Sequence, residues 1–80
     1  MSYKVTFRIR LGAEMTRLRE KKHWSQSILA EEADVSTSTV QNLEYGWSRI
    51  SLENFIKVCR ALEASVTDVL IKTGYEDVGE

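Results

Sequence analysis

Residues 26–46 constrain the fold more than any other part of the chain, because they read as two short helices joined by a tight turn. Apolar residues recur at helical spacing on both sides of the turn. Ala30 stands where a larger side chain would keep the second helix from packing across the first. The spacing predicts an inward-facing set of Leu29, Ala30, Ala33, Val35, Val40 and Leu43.

The second of these helices, predicted over about 37–45, has an outer face of short, polar and uncharged side chains. Lys and Glu are more usual on a helix that needs only to be soluble. Exposed hydrogen-bonding groups of this kind can read the edges of DNA bases. A solvated polar surface without a ligand is the alternative interpretation. The residues on this face are Ser36, Thr37, Ser38, Gln41 and Asn42.

Helix start and stop signals predict five helices, and therefore an all-α fold. Leu11, Met15 and Leu18 fall at helical spacing and predict a first helix over about 10–22. Gly46 is expected to end the third helix in a left-handed conformation. We expect one domain over residues 1–80, with an arm or strand at 1–9, a five-helix core at 10–72 and a tail at 73–80. The predicted N-caps of the second to fifth helices are Ser25, Ser36, Ser51 and Ser65.

The first residues of the chain alternate apolar and polar side chains, which is a strand signal. The rest of the chain offers no partner strand. We therefore expect either an extended arm or a strand that pairs with its copy in a second subunit, with preference for the second. The alternating apolar residues are Tyr3, Val5, Phe7 and Ile9.

Composition indicates a small cytoplasmic protein that is neither an enzyme nor a membrane protein. No apolar run approaches the length of a membrane span, and the single cysteine, Cys59, permits no internal disulfide. His23 is the only histidine, and no metal-ligand spacing, nucleophile motif or glycine-rich phosphate loop is visible. We therefore expect no catalytic residues, no metal and no cofactor.

Charge is distributed unevenly, although the net charge is only −1. Residues 1–30 hold seven Lys and Arg against two Glu, whereas residues 31–80 hold four against ten acidic residues. A basic half beside an acidic half fits one surface that meets phosphates, and it also fits an acidic surface that docks a protein.

The chain resembles the lambda-repressor-like, or XRE/Cro-type, helix-turn-helix family over roughly residues 10–72. Residues 11–22 look like the family's first helix, and Trp24-Ser25-Gln26 is similar to the entry of its second. Residues 51–62 and 65–70 look like its fourth and fifth helices. Two departures stand out: Asp34 occupies a turn position where Gly is usual, and Ile50 or Ser51 stands where proline is expected.

The resemblance implies double-stranded DNA as the partner and assigns roles to individual residues. It places Thr37, Ser38 and Asn42 at base-contacting positions, with Gln41 at the edge of the groove. It also implies an ion pair between Arg19 and Glu44 that fixes the angle of the third helix. For Trp47 an apolar plug between helices is the alternative role. The residues that the resemblance or their position puts beside DNA phosphates are Gln26, Ser36, Tyr45, Trp47, Ser48 and Arg49.

A homodimer on a two-fold-related operator is the expected assembly, as in a phage repressor or a restriction–modification controller. Two surfaces compete as the dimer contact: the fifth helix with its flank, and the N-terminal strand. The alternative function is an antitoxin-like or adaptor module that binds a second protein through the acidic half. The candidate dimer residues are Tyr3, Val5, Phe7, Val69, Leu70 and Tyr75.

Overall fold

Five helices make up the fold of this protein, for which a computed structural model describes residues 3–47 and 50–74, with side chains from residue 7 onward. The helices are α1 (Tyr3–Lys21), α2 (Gln26–Ala33), α3 (Thr37–Tyr45), α4 (Leu52–Ala61) and α5 (Val66–Lys72). No strand occurs among these residues, so the predicted all-α class is confirmed. Within the same ranges, no helix is long and apolar enough to cross a membrane.

The four predicted N-caps are confirmed, and each serine hydroxyl accepts a hydrogen bond from a backbone N–H three residues later. The predicted left-handed residue after α3 is also present, since Gly46 has φ 70°. Asp34 adopts the same region between α2 and α3, with φ 61°. The turn therefore forms without glycine, because Asp tolerates this conformation better than most residues.

The predicted N-terminal strand is wrong, because the backbone from residue 3 onward belongs to α1. The alternating pattern contains a helical stripe as well, since Phe7, Leu11 and Met15 are four residues apart. Leu11 and Met15 are buried, and Phe7 packs against the core to which they belong. A helix satisfies its backbone hydrogen bonds internally, whereas a lone strand in this chain has nothing to pair with. Tyr3, Val5 and Phe7 therefore lie on a helix and do not form the strand that was expected to pair with a second subunit.

The core lies where α2 and α3 pack against each other and against α1 and α4. All six residues predicted to face inward are buried or half-buried. Cys59 is fully buried, and its desolvation raises the pKa of the thiol from 9.0 to about 11. The fully buried larger side chains are Met15, Leu29, Val40, Val58 and Cys59.

The candidate dimer residues on α5 separate into different environments. Val69 is only 2% exposed and belongs to the core, so its assignment to a dimer surface is wrong. Leu70 is half-buried against the same core. Ile71 is half exposed and leaves apolar surface on the outside of α5. Tyr75 lies outside the described residues.

Candidate nucleic-acid interface

The outer face of α3 presents hydrogen-bonding groups that have no partner within the described part of the chain. Ser38, Asn42 and Tyr45 are spaced so that they point away from the buried Val40 and Leu43. Within residues 3–47 and 50–74, no hydrogen bond or ion pair is made by the side chains of Thr37, Ser38, Gln41 and Asn42. Their donors and acceptors are therefore available to a ligand.

Thr37 and Gln41 lie along one flank of this face. Gln41 precedes Glu44 by three residues and Tyr45 by four, so these three share one side of the helix. Gln26, the first residue of α2, reaches both Glu44 and Tyr45. The flank of α3 that carries Gln41 therefore faces the N-terminus of α2.

A buried ion pair holds α3 against α1, as the family resemblance implied. The Arg19 Nε donates to Glu44 Oε2 at 2.7 Å, and its Nη2 donates to Glu44 Oε1 at 3.0 Å. The Glu44 side chain is 2% exposed and that of Arg19 is 12% exposed. The hydrogen bonds from Arg19 to Glu44 raise the pKa of Arg19 above its ordinary value. The Arg19 guanidinium is therefore held in its charged form against an acceptor that water barely reaches.

The Glu44 carboxylate also accepts a hydrogen bond from α2. Gln26 Nε2 donates to Glu44 Oε1 at 2.9 Å, while the third Arg19 donor reaches the Trp24 carbonyl oxygen at 2.7 Å. Glu44 accepts only, so its position orients the Gln26 amide with the nitrogen toward it. The second N–H of that amide points toward the Tyr45 hydroxyl at a long 3.5 Å. One buried carboxylate thus fixes α1, the start of α2 and the end of α3 relative to each other.

A glycine contact sets how closely α1 and α3 approach. A Cβ built on Gly12 would lie 2.7 Å from the Leu43 carbonyl oxygen and closer still to that of Glu44. Only glycine permits this approach, because the obstacle is helix backbone that cannot rotate away. Gly12 and the Arg19–Glu44 pair therefore act on the same end of α3.

Two exposed aromatic rings follow the buried network at the end of α3. Tyr45 is 49% exposed and Trp47 is 70% exposed, with ring centroids 4.6 Å apart. The alternative role of Trp47 as an apolar plug is wrong, since most of its surface faces solvent. The next residues, Ser48 and Arg49, lie outside the described part of the chain.

Ser36 serves α3 itself. Its hydroxyl accepts from the Thr39 N–H at 3.1 Å and shares a hydrogen bond with the Thr39 hydroxyl at 2.9 Å. Of its two expected roles, the cap is confirmed. Among the residues that the structure describes, no three His, Cys, Asp or Glu side chains converge as a metal site would require.

Comparison with known proteins identifies the family. The sequence profile described as Helix-turn-helix matches residues 15–69, which run from the middle of α1 into α5. The chain belongs to the XRE-type helix-turn-helix family.

Two solved structures share both sequence and fold with this chain. Both are crystal structures of the clp gene regulator ClgR from Corynebacterium glutamicum. One is 40% identical with a TM-score of 0.76, and the match covers 84% of this chain and 86% of that one. The other is 38% identical with a TM-score of 0.77, covering 88% and 74% of the two chains.

Two curated relatives carry the name Antitoxin HipB. The protein from Escherichia coli O6:H1 is 33% identical over 57 residues, and that from Escherichia coli K12 is 32% identical over 57 residues. Each match covers 71% of this chain but only 61% and 65% of the relatives, respectively. The chain thus matches less than two thirds of their length.

Two contacts of this helix-turn-helix domain escaped prediction from sequence. The hydrogen bond from Gln26 to Glu44 joins residues 18 positions apart, and no sequence pattern predicts it. The approach of Gly12 to α3 had a signal, since an isolated glycine inside a helical pattern commonly marks close packing.

Proposed function

We propose that this protein is a sequence-specific DNA-binding transcriptional regulator that places α3 in the major groove. The observation that carries the proposal is the outer face of α3, where four neutral polar side chains lack partners within the described residues. Base edges in the major groove offer the complementary donors and acceptors. The buried contacts of Arg19, Glu44 and Gly12 support it, because base readout needs a helix held at one angle.

Phosphate contacts would position the domain on the duplex. Gln26 stands at the N-terminus of α2, where free backbone N–H groups and the helix dipole favour an anion. Its weakly engaged second N–H and the Tyr45 hydroxyl both face the surface, so one phosphate could accept from either or both. Trp47 is exposed beside them. We assign Ser48 and Arg49 to the next phosphate along, on the strength of the family resemblance alone.

The active species in this proposal is a homodimer on a two-fold-related operator. Two copies of α3 would enter successive major grooves about 34 Å apart on one side of the duplex. The N-terminal segment is helical and Val69 is buried, so α5 offers Ile71, with Leu70 at its edge, as apolar contact surface. A symmetric contact buries the same patch on both copies.

Selection from randomised duplex DNA tests the proposal, carried out with the purified protein at low and near-physiological salt. We expect a two-fold-symmetric sequence that persists at the higher salt. Asn42→Ala should change the sequence preference and cost about 1–3 kcal/mol. Arg49→Ala should weaken binding to all sequences and reduce the salt slope by about one. Binding that is weak, unselective and lost as salt rises would refute sequence-specific recognition.

A second function is favoured by the names of the curated relatives, both of which are called antitoxins. In that case the fold would bind another protein through its acidic C-terminal half. Asn42→Ala and Arg49→Ala would then be silent, whereas reversing the exposed charges of Glu63 and Asp68 would weaken the complex. Measuring both sets of variants against DNA and against a captured partner separates the two functions.

A further inference from the structure

The exposed face of α3 carries no charge, although α3 is the helix we propose for base readout. The only charged residue between Thr37 and Tyr45 is Glu44, and its side chain is buried against Arg19 and Gln26. The commonest specific contact in the major groove is a bidentate bond from Arg or Lys to guanine. That contact is not available from this helix.

Two side-chain amides take the place of charged groups. Gln41 and Asn42 are consecutive residues, so their side chains leave the helix about 100° apart and address different positions of a half-site. Neither side chain makes a hydrogen bond within the described residues. A primary amide offers one acceptor and two donors from a planar group, which allows two parallel hydrogen bonds to a base edge that has one of each.

Adenine is the base that matches this group. Its major-groove edge presents the N7 acceptor beside the N6 donor, which pairs with an amide nitrogen and an amide oxygen. Guanine presents two acceptors, N7 and O6, so the amide oxygen would face an acceptor. Cytosine presents a single donor, which leaves the amide nitrogen without a base partner. The neighbouring Ser38 accepts or donates to either kind of group and adds little discrimination.

We propose that α3 selects half-sites with A·T pairs at the two positions facing Gln41 and Asn42, and that adenine N7 and N6 are the groups it reads. This inference rests on the proposed function and names the DNA class that the site takes. Thr37, on the flank that carries Gln41, adds a methyl group that fits the C5-methyl of thymine.

The test begins with the selected operator and replaces its adenines one at a time by 7-deazaadenine. This analogue keeps base pairing and the N6 donor but lacks the N7 acceptor. At two positions of each half-site we expect affinity to fall about 2- to 10-fold, as for the loss of one hydrogen bond. Replacing the same A·T pair by G·C should cost about 5- to 150-fold.

Two variants match each base to its residue and serve as controls for each other. In Asn42→Ala the 7-deazaadenine penalty should vanish at one position and persist at the other, and Gln41→Ala should show the reverse pattern. Both residues are half-buried and neither belongs to the core, and far-UV circular dichroism of each variant verifies that the fold is retained. Asn42→Arg should shift the preference at its position from adenine toward guanine.

The outcomes separate this inference from the function on which it rests. Specific binding to half-sites with G·C at these positions would overturn the inference and leave the DNA-binding function standing. Selection of A·T pairs that are insensitive to 7-deazaadenine would also overturn it, because the preference would then come from DNA shape. Failure to select any sequence would refute both.

Discussion

Replacement of Arg19 by Met tests whether burial decides the strength of an ion pair in this domain. The chain supplies a matched control in α1. Arg17 makes two hydrogen bonds to Glu14 at 3.0 and 2.8 Å, while Arg19 makes two to Glu44 at 2.7 and 3.0 Å. The geometries are alike, but the side chains of Arg17 and Glu14 are 51% and 14% exposed, whereas those of Arg19 and Glu44 are 12% and 2% exposed.

Burial should make the two losses differ by several kcal/mol. Solvent screens the charge of the exposed Arg17, so Arg17→Met should leave the free energy of unfolding nearly unchanged. Arg19→Met leaves the Glu44 carboxylate buried with Gln26 as its remaining side-chain donor, and breaking a buried pair costs about 3–5 kcal/mol. The total stability of a chain this size is on the order of 4–12 kcal/mol. Arg19→Met should therefore lower the Tm by at least about 12 °C.

Urea unfolding followed by far-UV circular dichroism measures both losses. The double variant Arg19→Met/Glu44→Leu removes the uncompensated charge and should regain at least about 1 kcal/mol over Arg19→Met alone. Equal losses for Arg19→Met and Arg17→Met would refute the argument from burial. Additive losses in the double variant would show that the two charges do not depend on each other.

Three further changes follow from packing and protonation. Gly12→Ala should lower the free energy of unfolding by about 1–3 kcal/mol, because the added methyl group meets the backbone of α3. A higher free energy of unfolding, as helix propensity alone would give, would contradict this packing. Burial raises the pKa of the Cys59 thiol. The contribution of Cys59 to the free energy of unfolding is therefore present below pH 9.0 and is lost as the pH rises toward about 11. Over that range wild type should lose about 2–3 kcal/mol more than Cys59→Ala in urea titrations, and parallel curves would refute it. Trp47→Phe should change stability by less than about 0.5 kcal/mol, since Trp47 is 70% exposed; a larger loss in the same assay would show that Trp47 packs in the core.

The parts of the fold that depend on neighbouring residues were predictable from sequence. The caps at Ser25 and Ser36 and the left-handed Gly46 follow from local hydrogen bonding and sterics, and the structure has all three. The N-terminal segment was not predictable in the same way, because its apolar residues suit a strand face and a helical stripe at once. What decides between them is the packing of Phe7 and Leu11 against the core, which sequence spacing does not supply.

The candidate site was predictable to the extent that the family resemblance covers it. The pair of Arg19 and Glu44 came from that resemblance, since nothing in the sequence links two residues 25 positions apart. The donor from Gln26 to Glu44 was missed because it depends on the relative placement of α2 and α3. The sequence also did not predict that Trp47 is exposed, because a large apolar side chain after a helix can lie in the core or on the surface.

The exposed face of α3 carries no charge. Base recognition and attraction to phosphates would therefore be carried out by different residues. Charged side chains attract phosphates of any sequence, and the release of counterions makes that attraction salt-dependent. Neutral amides such as Gln41 and Asn42 release no counterions and contribute only where a base edge fits them. Substitutions on this face should therefore lower specific binding while leaving the salt slope unchanged. Substitution of Arg49, which we propose contacts a phosphate, should lower specific and non-specific binding together and leave the ratio between them nearly unchanged.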